Sequence, residues 1–194
     1  MNITLRNLLL LFSVVCTLTA FAPVKSNFSA AEQQQISIAT PKLFALSNTF
    51  NIELGNLSTN EYTFPLPVGK AIRQADNRLE ITSTEGDAVK AMFAGTVRLA
   101  RKHLEYGNVI VVRHQNGLET VYANNAQNLV DVGDVVKAGQ TIAIVGSHEG
   151  KTYLNFWVMV NGARINPETI LSLKSHKLHK QTLQCTKKDG GMVE

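Results

Sequence analysis

Six residues recur almost unchanged within this chain. Gly86-Asp87-Ala88-Val89-Lys90-Ala91 returns 47 residues later as Gly133-Asp134-Val135-Val136-Lys137-Ala138, with five of the six positions identical. Each copy is followed by a glycine, Gly95 or Gly139, and then by an apolar strand. A Gly-Asp turn entering a short strand, used twice, calls for two similar half-units packed together.

The surrounding sequence agrees. From Leu79 to Ile165 it reads as short strands with turn signals at roughly 8–12-residue spacing, the pattern of an all-β sandwich or barrel. Val109-Ile110-Val111-Val112 is a β-branched run, and Asn116-Gly117 supplies a tight hairpin turn after it. Glu119–Ala123 returns, and Thr141–Val145 is a further apolar strand. Tyr153–Val160 is the longest strand and is closed by Asn161-Gly162. Pro167–Leu173 reads as one short helix with proline in its first turn.

Successive side chains of a strand point to opposite faces. Leu154, Phe156, Val158 and Val160 are all apolar and belong to a core, with Ile142 and Val111 beside them. Tyr153, Asn155, Trp157 and Met159 share the other face. Aromatic rings next to an amide suit stacking on, and hydrogen bonding to, a sugar or peptide. The competing reading packs Trp157 beneath the segment that precedes the strands.

Outside this region the chain divides simply. Met1–Asn7 carries Arg6, and the 15 residues Leu8–Ala22 are mostly apolar, short of the ~20 a membrane span needs. A basic start, an apolar stretch and then small residues form a secretory signal, here residues 1–26; left uncleaved it would be the chain's one contact with the membrane, and a lipid anchor lacks the small residue it needs before Cys16, where Val15 stands. Residues 27–63 read as a flanking linker with one short element, and its apolar stretch Leu43–Ile52 is able to dock on the main domain. Phe64-Pro65-Leu66-Pro67 opens the β domain, residues 64–173. Residues 174–194 form a Lys-rich tail, expected to be mobile.

The formal charge of +4 includes Arg6 and Lys25, so residues 27–194 carry only +2. A phosphate binder needs a basic stripe, so nucleic acid is not the expected partner. The two cysteines, Cys16 and Cys185, leave one thiol once the signal is removed, which excludes a cysteine-based zinc site.

Residues 64–170 resemble the lysostaphin/LytM-type zinc metallopeptidase domain, the duplicated hybrid motif. The pieces that carry the resemblance run in order from Phe64-Pro65-Leu66-Pro67 through Glu85–Ala91 and Gly95-Thr96-Val97. They continue with Tyr106-Gly107-Asn108, Val112-Arg113-His114 and Thr120-Val121-Tyr122, and end with Val132–Ala143, Val160-Asn161-Gly162 and Asn166-Pro167. The resemblance implies an all-β, barrel-sandwich hybrid core and a zinc site that cuts peptide cross-bridges of bacterial peptidoglycan. In active members a His and an Asp four residues apart hold the metal with the second His of an H-x-H strand. The first His of that strand, and another after the T-x-Y strand, assist.

Carried onto this sequence, the three metal positions fall on Asp76, Glu80 and Asn155, and the two helper positions on Asn124 and Tyr153. No histidine stands at any of them. Asparagine offers a neutral amide oxygen and no free nitrogen lone pair, a poor match for zinc. Tyrosine, with a pKa near 10, cannot replace a neutral imidazole. Zinc is therefore not expected. Asp76, Glu80 and Asn155 could instead hold a hard cation through oxygen.

The five histidines read mostly as structural or surface residues. His114 precedes the hairpin turn, His103 lies in a loop, and His148 lies in the loop Ser147–Gly150 near the groove. His176 and His179 belong to the basic tail.

The expected function is that of an exported, non-catalytic peptidase-like domain at the bacterial cell wall. It binds peptidoglycan or a cell-wall hydrolase, with Tyr153, Asn155, Trp157 and Asn124 as candidate groove residues. One alternative is an active zinc metalloendopeptidase with atypical ligands. Another is a lipoyl- or biotinyl-type carrier, for which Lys151, outside both repeats, would be the modifiable lysine.

Overall fold

A computed structural model describes residues 27–187. The signal segment 1–26, with Cys16, lies outside the described residues. The described residues begin with a short helix α1 (Ala30–Gln34) and β1 (Thr49–Glu53), then β2 (Lys70–Arg73), β3 (Leu79–Thr82) and β4 (Ala88–Lys90). The hairpin β5 (Gly95–His103) and β6 (Gly107–Arg113) leads into β7 (Leu118–Asn128), β8 (Val135–Val136) and β9 (Thr141–Val145). Strands β10 (Ser147–His148), β11 (Lys151–Val160), β12 (Ala163–Ile165) and β13 (Thr182–Thr186) complete the order.

The repeat is a structural device. Strand β4 of the first copy pairs with β9, which follows the second copy, and β8 of the second copy pairs with β5, which follows the first. Backbone bonds mirror this exchange: the Val97 amide donates to the Asp134 carbonyl at 2.8 Å, and the Val145 amide donates to the Asp87 carbonyl at 3.0 Å. Gly86 and Gly133, at φ 87 and 98, occupy the left-handed region that the turn requires and that favours glycine. Each half-unit thus closes the other. The main sheet follows the order β2-β3-β11-β7-β6-β5-β8, with β12 and β10 on β11 and β9 on β7.

Alternation along β11 sorts two apolar clusters. Leu154, Phe156, Val158 and Val160 enter the large one with Leu79, Ile81, Tyr122 and Ile142. Leu99, Val109, Val111, Val121, Ala123, Trp157 and Met159 form the second on the opposite face. The expected core residues Leu154, Phe156, Val158, Ile142 and Val111 are all fully buried, with Val111 on the second face. The hairpin turn at Asn116-Gly117 has both residues at positive φ, 54 and 68. Such a turn matches the twist of its flanking strands.

Three expectations about the flanks are corrected. The tail is not wholly loose: Thr182–Thr186 pairs antiparallel with Thr49–Glu53, burying Cys185 and Ile52 on the large cluster. Its alternation, obscured by the neighbouring lysines, supplies the inward residues Leu183 and Cys185. His176, expected in a solvated tail, stacks on the Phe64 ring at 3.8 Å. The expected helix over 167–173 is a single 3-10 turn, Pro167–Thr169, capped by the Asn166 side chain.

The flanking segment also reaches the second face, through residues 28–40. Ser29 and Glu32 form a capping box that starts α1. Arg98, fully buried, then holds this strap down. Its Nε and Nη2 donate to the Glu119 carboxylate at 2.6 and 2.9 Å, and Nη1 and Nη2 also donate to the carbonyls of Glu32, Gln35 and Ile36. Arg113 bridges Glu119 to the Glu32 carboxylate. Two arginines and two glutamates neutralise one another, which a buried charge requires.

Candidate functional site

Strand β11 is the floor of the site. Its register places Asn155 opposite Glu80 of β3 on one side and Ala123 of β7 on the other, and Tyr153 opposite Thr82. Directly opposed residues of neighbouring strands face the same side. Tyr153, Asn155, Glu80 and Thr82 therefore share the face that carries Trp157. Asn124 joins them at an irregularity in β7, where its φ of 63 turns the side chain back toward β11. Its amide nitrogen donates to the Tyr153 carbonyl at 2.8 Å. Four of the five expected positions thus adjoin on one sheet surface.

Asp76, in the turn before β3, has a different engagement. Its carboxylate meets the Arg164 guanidinium at 2.6 Å, lies 3.9 Å from Arg78 Nε and accepts from the Arg78 amide. Burial alone would raise its pKa, but the Arg78 amide and the charges of Arg78 and Arg164 outweigh this and hold it below the usual value. Arg164 reaches this place because the Asn161-Gly162 hairpin sets Arg164 opposite Met159, on the same face as Trp157. Its guanidinium lies 4.5 Å over the Trp157 ring, a cation–π contact, and Nη2 is 3.4 Å from the Tyr106 hydroxyl.

These neighbours change the reading of Trp157. The ring has no exposed surface, wedged between Tyr106 (centroids 5.4 Å apart) and Arg164, with Ile36 of the strap packed on the same cluster. Trp157 therefore cannot offer a bare face to a ligand, contrary to its expected place among the groove residues. Nor does Leu43–Ile52 cover this face. Phe50 and Ile52 pack on the large cluster instead, and the strap 28–40 takes the covering role.

The residues that strand patterning missed are Arg98, Tyr106 and Arg164. Arg164 alone had a legible signal: a two-residue turn after Val160 fixes its register with Met159.

The donor set does not match zinc. Among the described residues no group of three His, Cys, Asp or Glu side chains converges. Asn155 is a weak donor, and the Asp76 carboxylate already faces a guanidinium. For a hard cation through Asp76, Glu80 and Asn155 the same obstacle holds, since Arg164 would have to leave first.

The histidines stand elsewhere. His114 lies between the Ala94 carbonyl and the Thr120 hydroxyl, at 2.7 and 2.8 Å. Burial pushes its pKa down to about 4 against the pull of the Ala94 carbonyl. His103 stacks on Tyr106, while His148 and Lys151 are exposed at the β10–β11 hairpin.

A sequence profile of Peptidase family M23 matches residues 75–167. The β domain described above belongs to that family. The murein hydrolase activator EnvC of Escherichia coli is 42% identical over 90 residues, 45% of this chain and 22% of that protein. The murein hydrolase activator NlpD of the same species is 36% identical over 91 residues, 46% of this chain and 24% of that protein. The matched segment thus spans less than a quarter of either relative. The solution structure of lysostaphin superposes with a TM-score of 0.53 at 24% identity, covering 64% of this chain and 58% of that one, a likeness of fold.

Proposed function

We propose that this protein is an exported accessory factor of the cell wall, which binds peptidoglycan and promotes the action of a murein hydrolase without cleaving the wall itself. One observation carries the reading. Where active members of the family place four imidazoles and an aspartate about a metal, this chain places Asp76, Glu80, Asn124, Tyr153 and Asn155, with no imidazole among them, and the Asp76 carboxylate is held by Arg164. Without a bound metal there is no water of lowered pKa to attack a peptide. The likeness to EnvC and NlpD, both named murein hydrolase activators, supports the choice of partner.

The apolar stretch Leu8–Ala22 supports export. Among the described residues no helix is long and apolar enough to cross a membrane. Dye-labelled sacculi test the reading. The protein added to a murein hydrolase should raise fragment release several-fold over the hydrolase alone. An unchanged rate with every cell-wall hydrolase of the source cell would refute it.

A further inference from the structure

From the charge arrangement beneath the groove we infer that Arg164 is the centre of an anion site, taking a carboxylate of a cell-wall stem peptide in exchange for Asp76. The inference rests on the reading that the groove meets peptidoglycan and names the ligand group.

The site has a fixed cation and a movable counter-ion. Arg164 is braced by the buried Trp157 ring at 4.5 Å and by Tyr106, so its plane is set before any ligand arrives. Of its five N–H donors, one contacts the Asp76 carboxylate and one the Tyr106 hydroxyl. Three remain, and a planar guanidinium with free donors is suited to bidentate recognition of a carboxylate.

Asp76, by contrast, is 46% exposed on a turn, while Arg164 is 27% exposed. Asp76 also has a second cation: Arg78 Nε lies 3.9 Å away, and that nitrogen is buried with no hydrogen bond of its own. If Asp76 swings off Arg164 as a carboxylate arrives, it keeps Arg78. No charge is then stranded. Glu80, opposite Asn155, disfavours an anion at that end of the floor and directs it toward Arg164.

A guanidinium only 27% exposed suits a single extended peptide terminus better than a broad protein surface. The strap residue Ile36 and the Tyr106 hairpin both pack over the second cluster, leaving Arg164 only partly open.

Trp157 is the single tryptophan of the chain and touches the guanidinium, so its emission reports the exchange. The full chain is titrated with a stem tetrapeptide bearing a free terminal carboxylate and with the same peptide as its terminal amide. The expected result is a Trp157 emission change, with the acid bound at least tenfold more tightly than the amide. Arg164→Met should abolish that preference, Arg164→Lys should retain part of it, and Asp76→Asn, which removes the internal competitor, should tighten binding of the acid several-fold. Urea midpoints confirm the fold of each variant, and Asp76→Asn decides the matter if Arg164→Met does not fold.

Equal affinity for acid and amide, no binding of either, or an unchanged preference in Arg164→Met would each overturn the inference. So would an Arg164 dependence confined to binding of the hydrolase. Stimulation of a murein hydrolase with no acid preference would sink the anion site alone. An acid preference with no stimulation would sink the activator role alone.

Discussion

Replacing Arg98 by methionine should cost more stability than any other single polar change in the molecule. The side chain is fully buried, as is the Glu119 carboxylate it meets. All five of its N–H donors are spent, two on Glu119 and three on the carbonyls of Glu32, Gln35 and Ile36. Methionine fills much of the volume but leaves three strap carbonyls without donors and Glu119 with Arg113 alone. Removing one partner of a buried pair costs about 3–5 kcal/mol, because the other charge stays buried. For a domain of this size that is a fall in Tm of roughly 6–20 °C. Urea denaturation followed by Trp157 emission measures the loss, and limited proteolysis should now cut between residues 28 and 40. The double variant Arg98→Met/Glu119→Leu should recover much of the stability, since no uncompensated charge remains between them. A loss below about 1 kcal/mol, or a strap as protected as in the wild type, would refute the clamp.

Phe156→Ala, in the large cluster, should destabilise by about 3–5 kcal/mol in the same melts. Trp157→Ala should cost a similar amount, because the ring is enclosed, read by far-UV circular dichroism since this variant lacks the emission probe; unchanged stability would mean that the ring is free. His114 is held neutral, with its pKa at about 4. The unfolded chain takes up a proton at about 6.5, so stability is full above that pH and declines as pH falls toward 4, by about 1.4 kcal/mol per unit at most. His114→Gln should flatten that part of the pH profile, and an unchanged profile would remove His114 as its cause. Asn155→His alone should not create a zinc site, because one strong ligand cannot assemble the set, as metal analysis of the variant will read.

Much of this was legible in the sequence where periodicity or register carried the information. The repeated Gly-Asp turn announced the half-units, and alternation along Tyr153–Val160 separated the core face from the site face. The resemblance to the LytM-type domain, carried over residue by residue, put Glu80, Asn124, Tyr153 and Asn155 at one site. Trp157 was harder because its neighbours come from distant places, Tyr106 in one hairpin and Arg164 in another, with Ile36 of the strap packed on the same cluster. No local pattern records such convergence. Arg98 was hidden for a related reason. It sits at a register shift between Val97 and Leu99, and a charged residue there reads as surface until its partners, Glu119 and the strap carbonyls, are known. The strand Thr182–Thr186 was masked by its composition, since Lys-rich flanks resemble a solvated tail.

The central claim is that this groove works without hydrolysis, and analysis of digested sacculi by mass spectrometry tests it most directly. Cross-linked sacculi are incubated with the purified protein and added zinc, with and without a chelator, and the remaining cross-bridges are counted. The account predicts the same cross-link content as in untreated sacculi under both conditions. Cross-bridges cleaved by the protein with zinc, and preserved when the chelator is present, would contradict it.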